Sequence, residues 1–580
     1  MKRCPQCNRV ESDETLKFCR VDGATLINNS SSLTGAADTA QPGLASAANE
    51  IETSILPHRT DTNINRATAP TTVLPLPSAQ GPTRELHTVK PRRAIVLTIV
   101  GLIVVALALY IYFYASRKNK TPIDSVAVLP FQNASGDPNS EYLSDGISEA
   151  LINSLTDLPQ LRVVARSTAF RYKGRDVDPR QVGRELNVRS VLTGRVRRMA
   201  DTLDVQVDLV DATTGAQLWG QEYERKVSDV ISVKQAIARE VTERLRLKLS
   251  GEEQQRLVKR DTTNAEAYEF YLKGRYYWNK RSVEGIRKAM EQFQQATDKD
   301  PNYALGYVGL ADCYLLLSDY AAVPSNESLP KARAAVDRAL QLDDSLCEAH
   351  TSLAETYDRL WRWDEAEEEF KRAISLNPNY PTAHHWFANY LVLKRQFDEA
   401  LRELKRAQEL DPLSPIIGST TAFVYLLQNN PDSAIEQCRK VIEVEPNFPT
   451  AHLYLGWSYL KQQHYQEAIA EFEKAVESSG RRAFNLANLG YCYAVTGRRV
   501  QALAILKELE EKYAQREAFG VHLAQVCNGL GDKEQAFAWL ERDFQQRIDS
   551  LTDIFTEMGF EELHGDPRYT DLVRRMGLQP

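Results

Sequence analysis

The residues best equipped for chemistry stand at the start of the chain, where Cys4-Pro5-Gln6-Cys7 is followed by Cys19-Arg20-Val21-Asp22. A Cys-x-x-Cys turn sets two thiolates on one side of a metal, and a second turn can close a tetrahedron around it. The fourth position here is a carboxylate, whose hard oxygen can ligate zinc but gives less selectivity than a fourth thiolate. The expected site is therefore Cys4, Cys7, Cys19 and Asp22 around one structural zinc. Four protein ligands leave no open position for a substrate or an activated water, so catalysis is not expected there. The other five cysteines, Cys313, Cys347, Cys438, Cys492 and Cys527, are odd in number and widely spread. That pattern fits small buried hydrophobes and predicts no disulfide.

Residues 1–26 resemble a short zinc ribbon. Elsewhere the sequence contains no His-Glu-x-x-His, no Gly-x-x-x-x-Gly-Lys-Ser/Thr loop and no kinase pairing of His-Arg-Asp with Asp-Phe-Gly. The turn Asn133–Pro138 is the only loop that could cradle an anion, and its Asp137 would repel one. No enzyme is expected. A net charge of -7 and a pI near 5.9 give no global attraction to nucleic acid, and none is expected as a partner. Lys2, Arg3, Arg9, Lys17 and Arg20 make the first segment mildly basic. This sustains an alternative, a transmembrane regulator whose zinc knuckle contacts nucleic acid or a cytoplasmic enzyme, although so short a segment has no room for a recognition helix.

What carries these residues is a multidomain chain. Residues 27–93, rich in Ser, Thr, Ala, Pro and Asn without periodicity, read as a disordered linker. Residues 94–115 hold no charge, and at about 1.5 Å per residue they span the ~30 Å hydrocarbon core as one transmembrane helix. Tyr110, Tyr112 and Tyr114 stand where an interfacial belt belongs. Arg84, Lys90, Arg92 and Arg93 before the span outnumber Arg117, Lys118 and Lys120 after it. The expected placement is thus single-pass in the inner membrane, with a cytoplasmic amino terminus and the remainder exported.

Residues 122–250 alternate strand and helix. Ser125–Phe131 and Arg162–Ala165 read as strands around an amphipathic helix from Tyr142 to Leu155, and Arg180–Leu186 reads as a short helix. A meander follows through Val191–Val196, Leu203–Val210 and Gln217–Trp219, closed by a helix over about Ile231–Leu249. The order predicts a small α/β domain on a mixed sheet. The stretch VAVLPFQNASGDPNSEYLSDGISEALINSL, with LTGRVRR and ATTGAQLWGQEYER behind it, looks like the TolB-like amino-terminal domain of bacterial signalling proteins.

From 264 to 545 a period of 34 governs the text. Pro378, Pro412 and Pro446 share one register, and Ala366, Ala400, Ala434, Ala468, Ala502 and Ala536 share another. Small residues at fixed register let paired helices approach closely, while Phe370, Leu404 and Phe472 fill the space beside them. This is the tetratricopeptide-repeat (TPR) pattern, about eight units, and it predicts an all-α superhelical solenoid. Repeats of this kind imply a protein-binding scaffold that holds protein or peptide ligands in a concave groove lined by first helices. One groove column runs Glu355, Asn389, Phe423, Trp457, Tyr491 and Gln525, with His385 one turn before Asn389. His385, Asn389, Phe423, Trp457, Tyr491 and Gln525 are the candidate partner-binding residues. Residues 546–580 are expected to cap the apolar face of the last repeat.

Overall fold

The computed structural model describes residues 123–579, apart from 259–261, 322 and 557, together with three short strands near the start. Those strands, β1 (Lys2–Arg3), β2 (Val10–Glu11) and β3 (Ile27–Asn28), form an antiparallel sheet in the order β2-β1-β3. They belong to a unit separate from the bulk of the chain. Cys4, Cys7, Cys19 and Asp22, the tether and the apolar segment 94–115 lie outside the described residues. Among the described residues no helix is long and apolar enough to cross a membrane.

The α/β region is built on β4 (Ser125–Val128), β5 (Gln132–Asn133), β6 (Arg162–Val163), β7 (Ser190–Met199), β8 (Thr202–Asp211) and β9 (Gln217–Lys226). Their order is β6-β4-β7-β8-β9, with β5 paired to β7. The first strands run parallel and the β7-β8-β9 meander antiparallel, because a helix bridges the former and tight turns join the latter. Every residue of β4 is buried, whereas β8 alternates, as a central and a one-sided strand should. The helix Glu141–Thr156 covers the sheet through Leu143, Ile147, Leu151 and Leu155. The closing helix is Val230–Leu245, shorter than its pattern suggested, because Arg246 takes a left-handed conformation (φ 62°) and caps it. A further helix, Gly251–Val258, was not anticipated.

A solenoid of helix pairs follows. Among the described residues it comprises eight helix pairs, from Ala265–Trp278 with Val283–Lys299 to Gly520–Gly529 with Lys533–Gln546. Each alanine of the 34-residue register is fully buried, as are Phe370, Leu404 and Phe472 beside them. The packing is close enough that a Cβ built on Gly490 would lie 2.8 Å from both Ile505 and Val526. The turn inside units three to eight repeats as faithfully. Trp361, Arg395, Asn429, Gln463, Gly497 and Gly531 all have positive φ, so four non-glycine residues accept left-handed strain where two units use glycine.

Candidate functional site

The solenoid's inner side is shaped by what already lies against it. The α/β region docks along the corners where successive units meet. Asn377, Asp411 and Glu445, each just past a second helix, hold it in turn. Asn377 Nδ2 donates to Asp157 (3.1 Å), Thr168 Oγ1 donates to Asp411 (2.7 Å) and Arg171 donates to Glu445 (2.8 Å). Ser167 also donates to Asp411. Asn379 Nδ2 adds bonds to the carbonyls of Leu158 and Leu161.

Deeper in the same contact, Glu149 sits between Arg166 and Arg275, 2.7 Å from each, and accepts from Asn279 at 3.0 Å. Burial alone would raise its carboxyl, but Arg275 and Arg166 outweigh it and hold Glu149 below the usual range. Next to Arg275 the balance reverses. Burial pushes Asp312 up to about 6, which the Ser352 hydroxyl (2.6 Å) and Arg275 offset only in part. The α/β region and the solenoid thus share one compact unit locked by a buried ionic cluster.

At the other end of the array the chain's last residues enter the groove. Arg568 and Arg575 pair with Glu534 and Glu541 on the second helix of the last repeat, and the segment also reaches back to the second and third units, where Trp363 Nε1 of the third donates to the Met576 carbonyl at 3.1 Å. Asp549 accepts from Ser325 (2.7 Å) and Arg359 (3.1 Å). Ile554, Phe560 and Leu563 are buried as deeply as any core residue. One apolar segment thus touches the eighth unit and the second and third units together.

The predicted column lies along this path. Asn389 is exposed and Phe423 half-buried, the latter stacked on Tyr454 with ring centroids 5.0 Å apart. Trp457, Tyr491 and Gln525 are buried beneath the carboxyl-terminal segment. Gln525 Nε2 donates to the Met558 carbonyl (3.0 Å) and Tyr491 donates to Glu562 (3.0 Å). His385 is buried, its Nε2 paired with Thr420 Oγ1 at 3.0 Å, and burial drives it down to about 4, with Arg281 adding to the shift.

Three residues outside the column complete the arrangement. Asn488 Oδ1 accepts from Trp457 Nε1 (2.7 Å) and Gln525 Nε2 (3.2 Å). Asn528 Nδ2 donates to the Gly559 carbonyl (2.7 Å) and Glu562 (2.9 Å), and Lys533 Nζ donates to the Glu562 carbonyl (2.8 Å). Asn488 and Asn528 stand one helical turn from Tyr491 and Gln525, so scanning the neighbouring turn for amides would have found them.

A second periodic feature links first and second helices. His350, His384 and His452 each place Nδ1 2.5–2.6 Å from Glu369, Glu403 and Glu471, and Nε2 2.8–3.0 Å from the carbonyls of Asp344, Pro378 and Pro446. Both ring partners of His350 and His452 are acceptors, so the doubly protonated imidazolium satisfies the geometry there. For His452 the Glu471 hydrogen bond raises the pKa against burial. For His350 burial pulls the other way, but Glu369 and the Asp344 carbonyl prevail. Among the described residues no group of three or more His, Cys, Asp or Glu is placed to hold a metal ion.

Known proteins resemble this chain in pieces. Residues 252–453 match the family described as Tetratricopeptide repeat protein 21 C-terminal ARM domain, and residues 424–483 match a tetratricopeptide-repeat family. Residues 122–239 match the HilA/YgeH-like transcriptional regulator, second domain. A putative adenylate cyclase 3 of Rhizobium meliloti (strain 1021) is 35% identical over 248 residues, and the chain spans 42% of that relative's length, using 42% of its own. Among solved structures, pilF of Pseudomonas aeruginosa is 21% identical, covering 37% of this chain and 93% of its own (TM-score 0.30). The APC/C hetero-tetramer Cut9-Hcn1 is 15% identical, covering 60% of this chain and 63% of its own (TM-score 0.39). Residues 252–483 thus match tetratricopeptide-repeat families, within a mostly helical solenoid that has a small α/β region before it.

Proposed function

We propose that the chain is a membrane-anchored, non-enzymatic scaffold that holds a partner polypeptide on the concave face of its TPR solenoid. The observation that carries this reading is the use already made of that face. Side-chain amides of first helices hold a stretch of polypeptide by its main-chain carbonyls, which is how a groove binds a chain segment rather than a small molecule. The clasped α/β region, taken as TolB-like, serves as a rigid base. The span at 94–115 supplies the anchor, and the amino-terminal Cys4, Cys7, Cys19 and Asp22 hold a structural zinc on the cytoplasmic side of the inner membrane. The domain limits proposed are 1–26, 27–93, 94–115, 122–250, 264–545 and 546–580.

Quantitative co-purification tests this. Specific partners of the tagged full chain are expected to be lost when the accessible column residues are changed by Asn389→Arg and Phe423→Asp, with folding checked by circular dichroism. Retention of every partner would count against the groove. Protease accessibility of a carboxyl-terminal tag in spheroplasts reads the orientation.

The regulator reading draws support from the match of residues 122–239 to part of a transcriptional regulator. Binding of the full chain to duplex DNA, measured against salt, separates it from the scaffold, for which no salt-dependent DNA binding is expected.

A further inference from the structure

The carboxyl-terminal segment is bound in the manner of a ligand. Three donors from the eighth unit, Gln525, Asn528 and Lys533, meet the carbonyls of Met558, Gly559 and Glu562. Asn488 orients Gln525 and is itself fixed by Trp457. The Glu562 carboxylate is read by the Tyr491 hydroxyl and the Asn528 amide. Gly559 is demanded by the site, since its φ is +102° and a Cβ there would lie 3.0 Å from Gln525 Nε2 and 3.3 Å from Trp457 Cη2. Phe560 next to it is 1% exposed. Backbone readout plus one glycine, one aromatic and one carboxylate is a specificity code, and a plain hydrophobic cap would need none of it.

We infer that the concave face of units six to eight is a peptide-reading site, with Met558–Glu562 as its built-in ligand. The external partner it serves is an acidic polypeptide segment carrying the same glycine, aromatic, glutamate order. This deepens the scaffold reading and rests on it.

Two observations make exchange physically reasonable. The built-in segment fits imperfectly, because Asn528 Oδ1 is buried with no protein donor. A segment offering an N–H there would recover part of the cost of an unmet buried acceptor. The segment is also fastened on both sides, by Asp549 with Ser325 and Arg359, and by the Met576 carbonyl with Trp363. It can leave the site while the anchors stay, and a partner with the same side chains replaces the apolar contacts it breaks. The tether gives the built-in ligand an effective concentration on the order of millimolar, so a free partner binds with an affinity reduced by the small fraction of open sites.

The test uses a synthetic peptide of residues 555–566, Phe-Thr-Glu-Met-Gly-Phe-Glu-Glu-Leu-His-Gly-Asp, and the purified full chain. Gly559→Val in the protein removes the glycine its own segment needs, while the peptide retains it. Fluorescence anisotropy is expected to show weak binding to the wild type, at least ten-fold tighter binding to Gly559→Val, and no binding of the peptide that carries valine at the same place. Equal binding to both proteins, or to both peptides, would overturn the inference. Should Gly559→Val not fold, hydrogen exchange of the wild type decides. Excess glycine peptide is expected to speed exchange at the Gly559 amide, which donates to Glu561 at 2.6 Å, and unchanged protection would overturn the inference. If this competition fails while Asn389→Arg with Phe423→Asp still costs the chain its partners, the scaffold reading stands and only the built-in ligand is lost.

Discussion

Replacing Glu149 by alanine strands two guanidinium groups in the contact between the α/β region and the solenoid. In the wild type Glu149 lies 2.7 Å from both Arg166 and Arg275, with its side chain 6% exposed and theirs 21% and 19%. Removing one member of a buried ionic cluster costs about 3–5 kcal/mol, because the remaining charges keep their desolvation and lose their attraction. If residues 123–579 unfold together, an unfolding entropy of roughly 2.1 cal/mol/K per residue converts this to a Tm fall of about 3–5 °C. The effect should also be local. Hydrogen exchange is expected to quicken at the Ala165 amide, which donates to the Leu410 carbonyl at 3.0 Å, and around Asn377–Asn379, while the seventh and eighth units keep their protection. The triple variant Glu149→Leu with Arg166→Met and Arg275→Met should recover much of the loss by exchanging all three charges for apolar volume. An unchanged Tm with unchanged exchange at Ala165 would refute the claim that this cluster holds the two regions together.

Further consequences follow from buried ionisable groups and backbone strain. His385 and His522 are driven by burial to about 4, so their contribution is present above the unfolded value near 6.5 and is lost as pH falls toward 4, about 3 kcal/mol each. Thermal melts between pH 4 and 7 should therefore show a steep acid limb that flattens in His385→Gln. The raised carboxyls of Asp312 (about 6) and Asp543 (about 7) act oppositely, favouring the fold at low pH and withdrawing that support as pH rises through those values. His452 is held raised by Glu471, so its contribution is present below about pH 6.5 and lost as pH rises through its folded value. Glu471→Gln should move its NMR titration midpoint downward, and an unmoved midpoint would remove the imidazolium assignment. Gln463 is exposed with φ +63°, and Gln463→Gly should stabilise the chain by about 1 kcal/mol, read as a raised Tm.

Local physics made much of this fold legible in advance. The alanines at 366, 400, 434, 468, 502 and 536 announce close-packed helix pairs because each acts on a neighbour within its own unit, and all are fully buried. The strand order of the α/β region follows the same logic, each helix or turn fixing whether its strands run parallel or antiparallel. What stayed hidden depends on contacts far apart in sequence. Asn377 and Asp411 read as ordinary helix ends, yet their side chains meet residues 157 and 168 on another region. The column Trp457, Tyr491 and Gln525 was visible as a surface. That its neighbour would be residues 558–562 depends on the curl of the superhelix, which accumulates over all eight units. The loops that bring Gly559 and Met576 back into the groove carry no periodicity to betray their course.

A scaffold of this kind must receive another protein in its groove. The most direct measurement places a photo-activatable cross-linking residue at Asn389, which is exposed on the groove column, and a control at Glu436, exposed on a second helix, each in the full chain in living cells. A discrete adduct is expected from position 389, identified by mass spectrometry as one polypeptide and absent from position 436. No adduct at 389, or the same adducts at both positions, would contradict the scaffold role.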